Sequence, residues 1–468
     1  MWRDALTGLD RWFARVMPDP FAVALWLTLL GFVGAAAMGS PRGPLELPAL
    51  LDAWVHGASP RPEASPVGGL WSLLGFGMQM VLVLVTGFAL ADSAVVRRWI
   101  DTVASRLRTG IGAVMLVAVC SLSLGVLHWG LGLVVGALLA RRVGTALVRR
   151  RVPVHYPVLV AAGYLGMAVW HGGLSGSAPL KATTEAGLAE VVGVELAARW
   201  GGIGLDQTVL SPRNVMVTVL AGALMVFTLL MLYPRKVEHV RLPPRELLDD
   251  EPPRRTAALP DWSASPADAL SAGPWLSVGV AALGLAWLVG WVADAGVMRM
   301  TPNELNLACL ALGLLAAGSP RAYAQSAQRA MSAATGIVLQ FPLYGGLLGL
   351  LAVTGLVDRW AAGAPADISA LSLQTWWTAG LLNLVVPSGG GQWAIQGPVA
   401  LQAAASHGVD PARVVLALAW GDQWTNLLQP FWALPLLGIT KIRPSDLFAV
   451  TVLLLVPSGL VFALGAWW

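Results

Sequence analysis

Four polar, glycine-rich islands interrupt otherwise apolar stretches of the chain and hold the side chains able to do chemistry there. The first is His128-Trp129-Gly130-Leu131-Gly132. The second runs from Trp170 and His171 through Gly172, Gly173, Leu174, Ser175, Gly176 and Ser177 to Pro179. Asn383 and Pro387-Ser388-Gly389-Gly390-Gly391-Gln392-Trp393, followed by Gln396 and Pro398, make the third. Asp422-Gln423-Trp424-Thr425-Asn426-Leu427-Leu428-Gln429-Pro430 make the fourth. Glycine lets a ligand approach the backbone and proline frees a backbone group, so each island offers amides and helix ends. Polar groups at membrane depth are costly and line cavities or solute paths.

The positive ends of half-helices favour anions, and freed carbonyls favour cations. None of the islands contains Lys or Arg, so a carboxylate there would be held by amides, hydroxyls and helix dipoles. That suits a small monocarboxylate, because a multiply charged anion calls for arginine. Tryptophans 129, 170, 393, 424 and 432 are candidates to wall a pocket for an acyl tail, or to serve as interfacial belts and packing. Asp422 alone among the carboxylates lies well inside an apolar span, as a proton carrier, a cation ligand or a structural acid. His128 and His171 are candidate proton shuttles or hydrogen-bonding members of the pocket.

The elements that must position these groups are membrane spans. Of the 468 residues, 56% are hydrophobic and 12% charged, far below the roughly one-quarter charged content of soluble domains. The net charge of +4 lies in loops between spans, which is a topology signal and no sign of nucleic-acid binding. Cys120 and Cys309, both in apolar runs, indicate no disulfide framework. About 20 apolar residues cross a bilayer, which predicts spans at 21–38, 68–91, 215–233, 274–293, 305–318, 333–357 and 447–468. Two uncharged runs, 109–140 and 369–406, are too long at 32 and 38 residues for one crossing. They are expected to be re-entrant hairpins with sheltered tips. Residues 157–180 and 414–438 are expected to be broken spans, and residues 1–20 an amphipathic N-terminal segment.

With the N-terminus cytoplasmic, 22 of the 30 Lys and Arg residues fall on cytoplasmic segments. Residues 234–273 then form a cytoplasmic linker and 274–293 an extra span. The halves 21–233 and 305–468 run in opposite senses, an inverted repeat in which solute binds at mid-membrane. The expected fold is therefore an all-α polytopic membrane protein with two inverted repeats.

The islands resemble the short-chain fatty acid transporter family. The likeness rests on Gly75-Phe76-Gly77-Met78-Gln79-Met80, His128 to Gly136, Val386 to Pro398 and Gln429 to Pro435. It spans the chain from Pro18 to the last helix. His128, Gln392 and Asp422 stand where the resemblance leads one to expect asparagine, histidine and glutamate. The resemblance implies uptake of butyrate, acetoacetate and similar acids across the bacterial inner membrane, an elevator motion and a homodimer.

The expected substrate ligands are Ser388, Gly389, Gly390, Gly391 and Gln392 with His128, Trp129, His171, Ser175, Ser177, Trp393, Asn426 and Gln429. Asp422, Asn383 and Thr425 are expected to serve the coupling ion, a proton or sodium, and no cofactor is expected. A cation/proton antiporter, or a carrier of another small organic anion, is the alternative. An antiporter would typically place more than one acid at the site. Gly173-Leu174-Ser175-Gly176 matches the GxSG pattern of intramembrane serine hydrolases, but the later histidines, His239 and His407, fall in a linker and a loop. A channel would need a continuous polar pore rather than islands.

Overall fold

The computed structural model describes residues 20–40, 43–59, 68–192, 194–234, 236–249, 265–296, 302–355, 365, 367–384 and 389–468. The expected segment 1–20 lies, but for Pro20, outside them. Within them the chain is helical, with one isolated bridge between Ser40 and Gly43. Six helices are long and apolar enough to cross a membrane, and shorter apolar helices such as Asn303–Ala317 and Pro430–Thr440 accompany them. Their apolar side chains face outward as well as inward: Leu283 and Val289 on Trp275–Ala295 are 75% and 71% exposed. Such a surface is stable only in lipid, and the chain is a multi-pass membrane protein.

Several helices begin in the same way. Ser211, Ser319, Asp410 and Gln429 each cap a helix whose first residue is proline, at Pro212, Pro320, Pro411 and Pro430. The cap satisfies a free amide, and proline at that position gives up a hydrogen bond the helix never makes.

The uncharged run at 109–140 folds as Gly110–Leu127 and Trp129–Arg149, with His128 extended between them. The two arms are antiparallel: a methyl on Gly132 would meet Gly125 Cα at 2.6 Å, and one on Gly136 would meet the Ser121 hydroxyl at 3.0 Å. The second arm continues through Arg141 and Arg142, where sequence reading ended the hairpin. Both arginines are satisfied there, Arg142 by Asp92 at 2.8 Å and Arg141 by the Ile439 carbonyl at 3.3 Å.

The run at 369–406 folds as Ile368–Asn383 and Gly389–His407. Gln392 donates to the Ala379 carbonyl at 2.9 Å and Gln396 to the Thr375 carbonyl at 3.1 Å, tying these arms antiparallel.

The first broken span consists of Tyr156–Tyr164, a 3-10 turn Leu165–Ala168, an irregular stretch and Ser177–Ala182. The second consists of Pro411–Thr425 and Pro430–Thr440. The first hairpin and first broken span meet along a seam of Gly125, Gly132, Gly136, Gly163 and Gly166. At its centre Ser121 Oγ donates to the Gly163 carbonyl at 2.8 Å and accepts from Gly166 N–H at 3.0 Å.

Stretches outside the expected spans are helical too. Ala94–Arg106 is a surface helix capped by Ser93, and Pro266–Ala272 lies in the expected linker. Pro320–Thr354 is one helix of 35 residues, roughly 52 Å long, so its first turns project beyond an apolar core about 30 Å thick.

Two packed groups result. Pro20–Met38, Leu47–His56, Leu74–Ala91, Trp275–Ala295, Pro302–Ala317 and Pro320–Thr354 pack on one another. The hairpins and broken spans pack with Pro212–Leu232 and Pro444–Trp467. Between the groups, Phe431 meets Phe341 and Tyr344 at ring distances of 4.5 and 5.2 Å. Asp92 also binds Arg142 at 2.8 Å and Arg329 at 2.7 Å there.

Candidate functional site

The breaks of both broken spans and the tips of both hairpins converge. At the first tip, Trp129 N–H donates to Ser175 Oγ at 2.9 Å and the Val126 carbonyl accepts from Leu174 N–H at 2.7 Å. The two breaks are joined by Gly172 N–H donating to Gln423 Oε1 at 2.9 Å and by Asn426 Nδ2 donating to the Met167 carbonyl at 2.9 Å. Tyr164 returns a hydroxyl to the Asn426 carbonyl at 2.9 Å. From the second hairpin, Asn383 Nδ2 faces the Asp422 carbonyl at 2.8 Å, Thr425 Oγ1 at 3.0 Å and Asn426 Oδ1 at 2.8 Å. Gly389, which opens the other arm, is close enough that a methyl there would lie 2.7 Å from the Trp170 ring, 2.9 Å from His171 Cε1 and 3.2 Å from Asp422 Oδ2. The free amides of that helix start thus lie beside a carboxylate, the arrangement the helix dipole favours.

His171 and Asp422 are both fully buried and bond through Nδ1 and Oδ2. Ala178 N–H donates to His171 Nε2 at 3.0 Å. An imidazole nitrogen that accepts cannot also carry a proton, so Nδ1 carries it and donates to Asp422. Asp422 Oδ1 is buried with no partner among the described residues. The same reasoning applies to His128, whose Nδ1 accepts from Gly130 N–H at 3.1 Å. Its Nε2 therefore holds a hydrogen, and that atom too is buried without a partner among the described residues.

Three tryptophans from three elements form an aromatic cage. Trp129 lies edge-on to Trp432 at 5.2 Å and to Trp170 at 6.4 Å, and Trp170 stands 6.3 Å from Trp432. His128 stacks on Trp129 at 5.9 Å, and His171 on Trp170 at 4.5 Å. Around this cage the buried polar atoms without a partner among the described residues are mostly donors: Trp170 Nε1, Trp432 Nε1, His128 Nε2, Gln423 Nε2 and Gln429 Nε2. Acceptors in the same state are Asp422 Oδ1 and Asn383 Oδ1. More than nine in ten buried polar groups in folded proteins are paired, so such a concentration marks a place built to receive something. Apolar rings and neutral donors match a small molecule with one carboxylate and a short tail.

The structure divides the expected site residues. His128, Trp129, His171, Asp422, Asn383, Thr425, Asn426, Gln429 and Gly389 gather at the convergence. Ser175 also lies there, its hydroxyl engaged by Trp129 N–H. Ser388 falls outside the described residues. Gly390, in the first turn of its helix, is exposed, as the helix start is only partly covered; Gly391 follows it. Ser177 opens its short helix half-buried. Gln392 spends its amide N–H on the partner arm, which leaves only its oxygen unpaired.

The five tryptophans do not share one wall. Trp393 belongs to a separate apolar cluster with Ala178, Leu401 and Val414. Trp424 stacks on Trp376 at 4.6 Å and donates to the Leu455 carbonyl, because its helix turns it toward the last span.

Sequence reading missed Asn214. This buried side chain donates to the Gly172 carbonyl at 2.7 Å and the Val209 carbonyl at 2.8 Å, and accepts from Trp420 Nε1 at 2.9 Å. It holds the first break from behind. A single asparagine one turn inside a Ser-Pro helix start carries no signal by spacing.

Similarity to known proteins extends over nearly the whole chain. The family model for short chain fatty acid transporters matches residues 6–468. A protein of Escherichia coli strain K12 described as a short-chain fatty acid transporter is 35% identical over 460 residues, covering 98% of this chain and 97% of its own. One of Haemophilus influenzae strain Rd, described likewise, is 32% identical over 455 residues, covering 97% and 96%. The solved structure of the Alcanivorax borkumensis YdaH transporter aligns over 96% of this chain and 97% of its own at 16% identity, with a TM-score of 0.41, a likeness too distant to carry an argument.

Proposed function

The chain belongs to the short chain fatty acid transporter family, and from that premise we propose that it carries short-chain monocarboxylates such as butyrate and acetoacetate across the bacterial inner membrane. In this reading the N-terminus is cytoplasmic and transport is coupled to a cation. The observation that carries the substrate class is the cage of Trp129, Trp170 and Trp432. It is edged by neutral donors on His128, Gln423 and Gln429, with no Lys or Arg in any of the four islands. One carboxylate is held by several neutral donors; a second would stand without a cation.

Two packed groups support an elevator motion. The hairpins and broken spans, with the site, would move against the group containing Pro20–Met38 and Pro320–Thr354, which would be the static, dimerising part. The hairpin tips would be the re-entrant parts of an inverted repeat.

Counterflow tests the substrate. Proteoliposomes preloaded with unlabelled acetoacetate should take up labelled acetoacetate faster than protein-free vesicles, with butyrate competing and a dicarboxylate not. Acetoacetate is chosen because, as the stronger acid, less of it is in the membrane-permeant neutral form. No counterflow from protein that elutes as a single folded species would refute the reading. The buried His171–Asp422 pair favours a second reading, a cation/proton antiporter, which exchange of cation for proton without any monocarboxylate would support.

A further inference from the structure

We propose that the coupling ion is a proton and that Asp422 Oδ1 is the atom that takes it up, an inference resting on the monocarboxylate reading above. His171 Nε2 is occupied by the Ala178 amide at 3.0 Å, and a second proton on the ring would point at that N–H. His171 Nδ1 already holds its hydrogen and gives it to Asp422 Oδ2. The pair therefore has one vacant acceptor, Oδ1, which is fully buried and unpartnered among the described residues.

Before that proton binds, the pair carries one negative charge. Its imidazole stacks at 4.5 Å on Trp170, a wall of the aromatic cage. A carboxylate entering the cage thus meets a like charge in a low-dielectric setting, with no arginine or lysine in the islands to offset it. Protonation of Oδ1 turns the Asp422 carboxylate into a neutral acid that still accepts from His171 through Oδ2. The balance is one proton bound, one monocarboxylate bound and one fixed negative charge cancelled. Neither partner is then favourable to carry alone, which is what coupling requires.

His171 is the titratable group that faces Asp422. The other charged groups on the elements packed around it are engaged or exposed at helix ends. Lys181, Asp367 and His407 are exposed, Arg413 donates to the Ala466 carbonyl, and Asp446 is bound by Arg241 and Arg443. Among the described residues no third acid, histidine or cysteine joins the pair.

Calorimetric titration of the purified, detergent-solubilised protein with butyrate, in buffers of different ionisation enthalpy, counts the protons taken up on binding. At alkaline pH the wild type should take up one proton per butyrate, and its Kd should rise about tenfold per pH unit, indifferent to sodium. Asp422→Asn should bind butyrate with no proton uptake and no pH dependence. His171→Gln, which can still accept from Ala178 and donate to Asp422, should keep the stoichiometry of one. Sodium-dependent binding without proton uptake would overturn the inference and leave the carrier reading intact. Loss of proton uptake in His171→Gln alone would place the proton on the imidazole and overturn the assignment to Oδ1. Failure of folded wild type to bind butyrate under any condition would overturn both.

Discussion

Replacing Asn214 by leucine tests whether the polar scaffold behind the site holds the fold as its geometry says. The side chain is buried and makes three short hydrogen bonds, to the carbonyls of Gly172 and Val209 and from the indole of Trp420, beside a long one of 3.5 Å from the Thr218 hydroxyl. Leucine has nearly the same volume and makes none of them. At the low end of about 1–3 kcal/mol per orphaned buried group, the loss is about 3 kcal/mol. With an unfolding entropy of about 2.1 cal/mol/K per residue, a 468-residue chain loses about 1 °C per kcal/mol, so Tm should fall by about 3 °C. Thr451→Val is the converse. Its hydroxyl is fully buried with no partner among the described residues, so removing it should raise Tm by about 1 °C. Thermal unfolding of both variants in one detergent measures the difference. An Asn214→Leu protein as stable as wild type, or less affected than Thr451→Val, would refute the reasoning.

Other perturbations reach other parts of the molecule. Gly132→Ala would drive a methyl to 2.6 Å from Gly125 Cα and 2.7 Å from its nitrogen, and the expected loss is about 1–3 kcal/mol, read as a lower melting temperature. Gln429→Ser keeps an oxygen to cap Trp432 N–H but removes the amide hydrogens. Stability should hold while butyrate affinity in calorimetry falls about tenfold to a hundredfold, the value of one hydrogen bond to a charged group. Burial, helped by Arg241 and opposed by Asp446, pushes His155 from 6.5 down to about 4, and its neutral Nδ1 accepts from Arg241 N–H. The stability it supplies is whole above about pH 6.5 and is lost as pH falls toward 4. His155→Asn should therefore flatten the acid limb of a melting-temperature profile, and an unchanged limb would exclude His155 as its source.

The breaks in the helices were legible because glycine and polar residues in the middle of an uncharged run have few other uses. His128 and Gly389 stand at helix ends for that reason. Helix ends marked only by charge were not legible. Arg141 and Arg142 look like a membrane boundary, yet the helix runs on to Arg149 because Asp92 and the Ile439 carbonyl satisfy them. Arg321 and Arg329 look like a loop for the same reason and ride the projecting start of a 35-residue helix. At the site, residue types were readable and partnerships were not. Nothing in the spacing of Trp393 and Trp424 says that their helices turn them from the cage holding Trp129, Trp170 and Trp432. The tautomers of His128 and His171 depend on the amides of Gly130 and Ala178, which only the folded backbone brings near.

The glycine seam between the first hairpin and the first broken span has a mechanical consequence. Side chains in an ordinary interface act as springs, since each changes rotamer before the backbones feel a load. Here main chain bears on main chain: a methyl on Gly163 would lie 2.5 Å from the Gly136 carbonyl oxygen, and one on Gly125 2.5 Å from Gly166 Cα. Such a joint leaves no side chain between the backbones to yield. Neither element has room to shift far without the other following, which ties the tip with His128 to the break with His171.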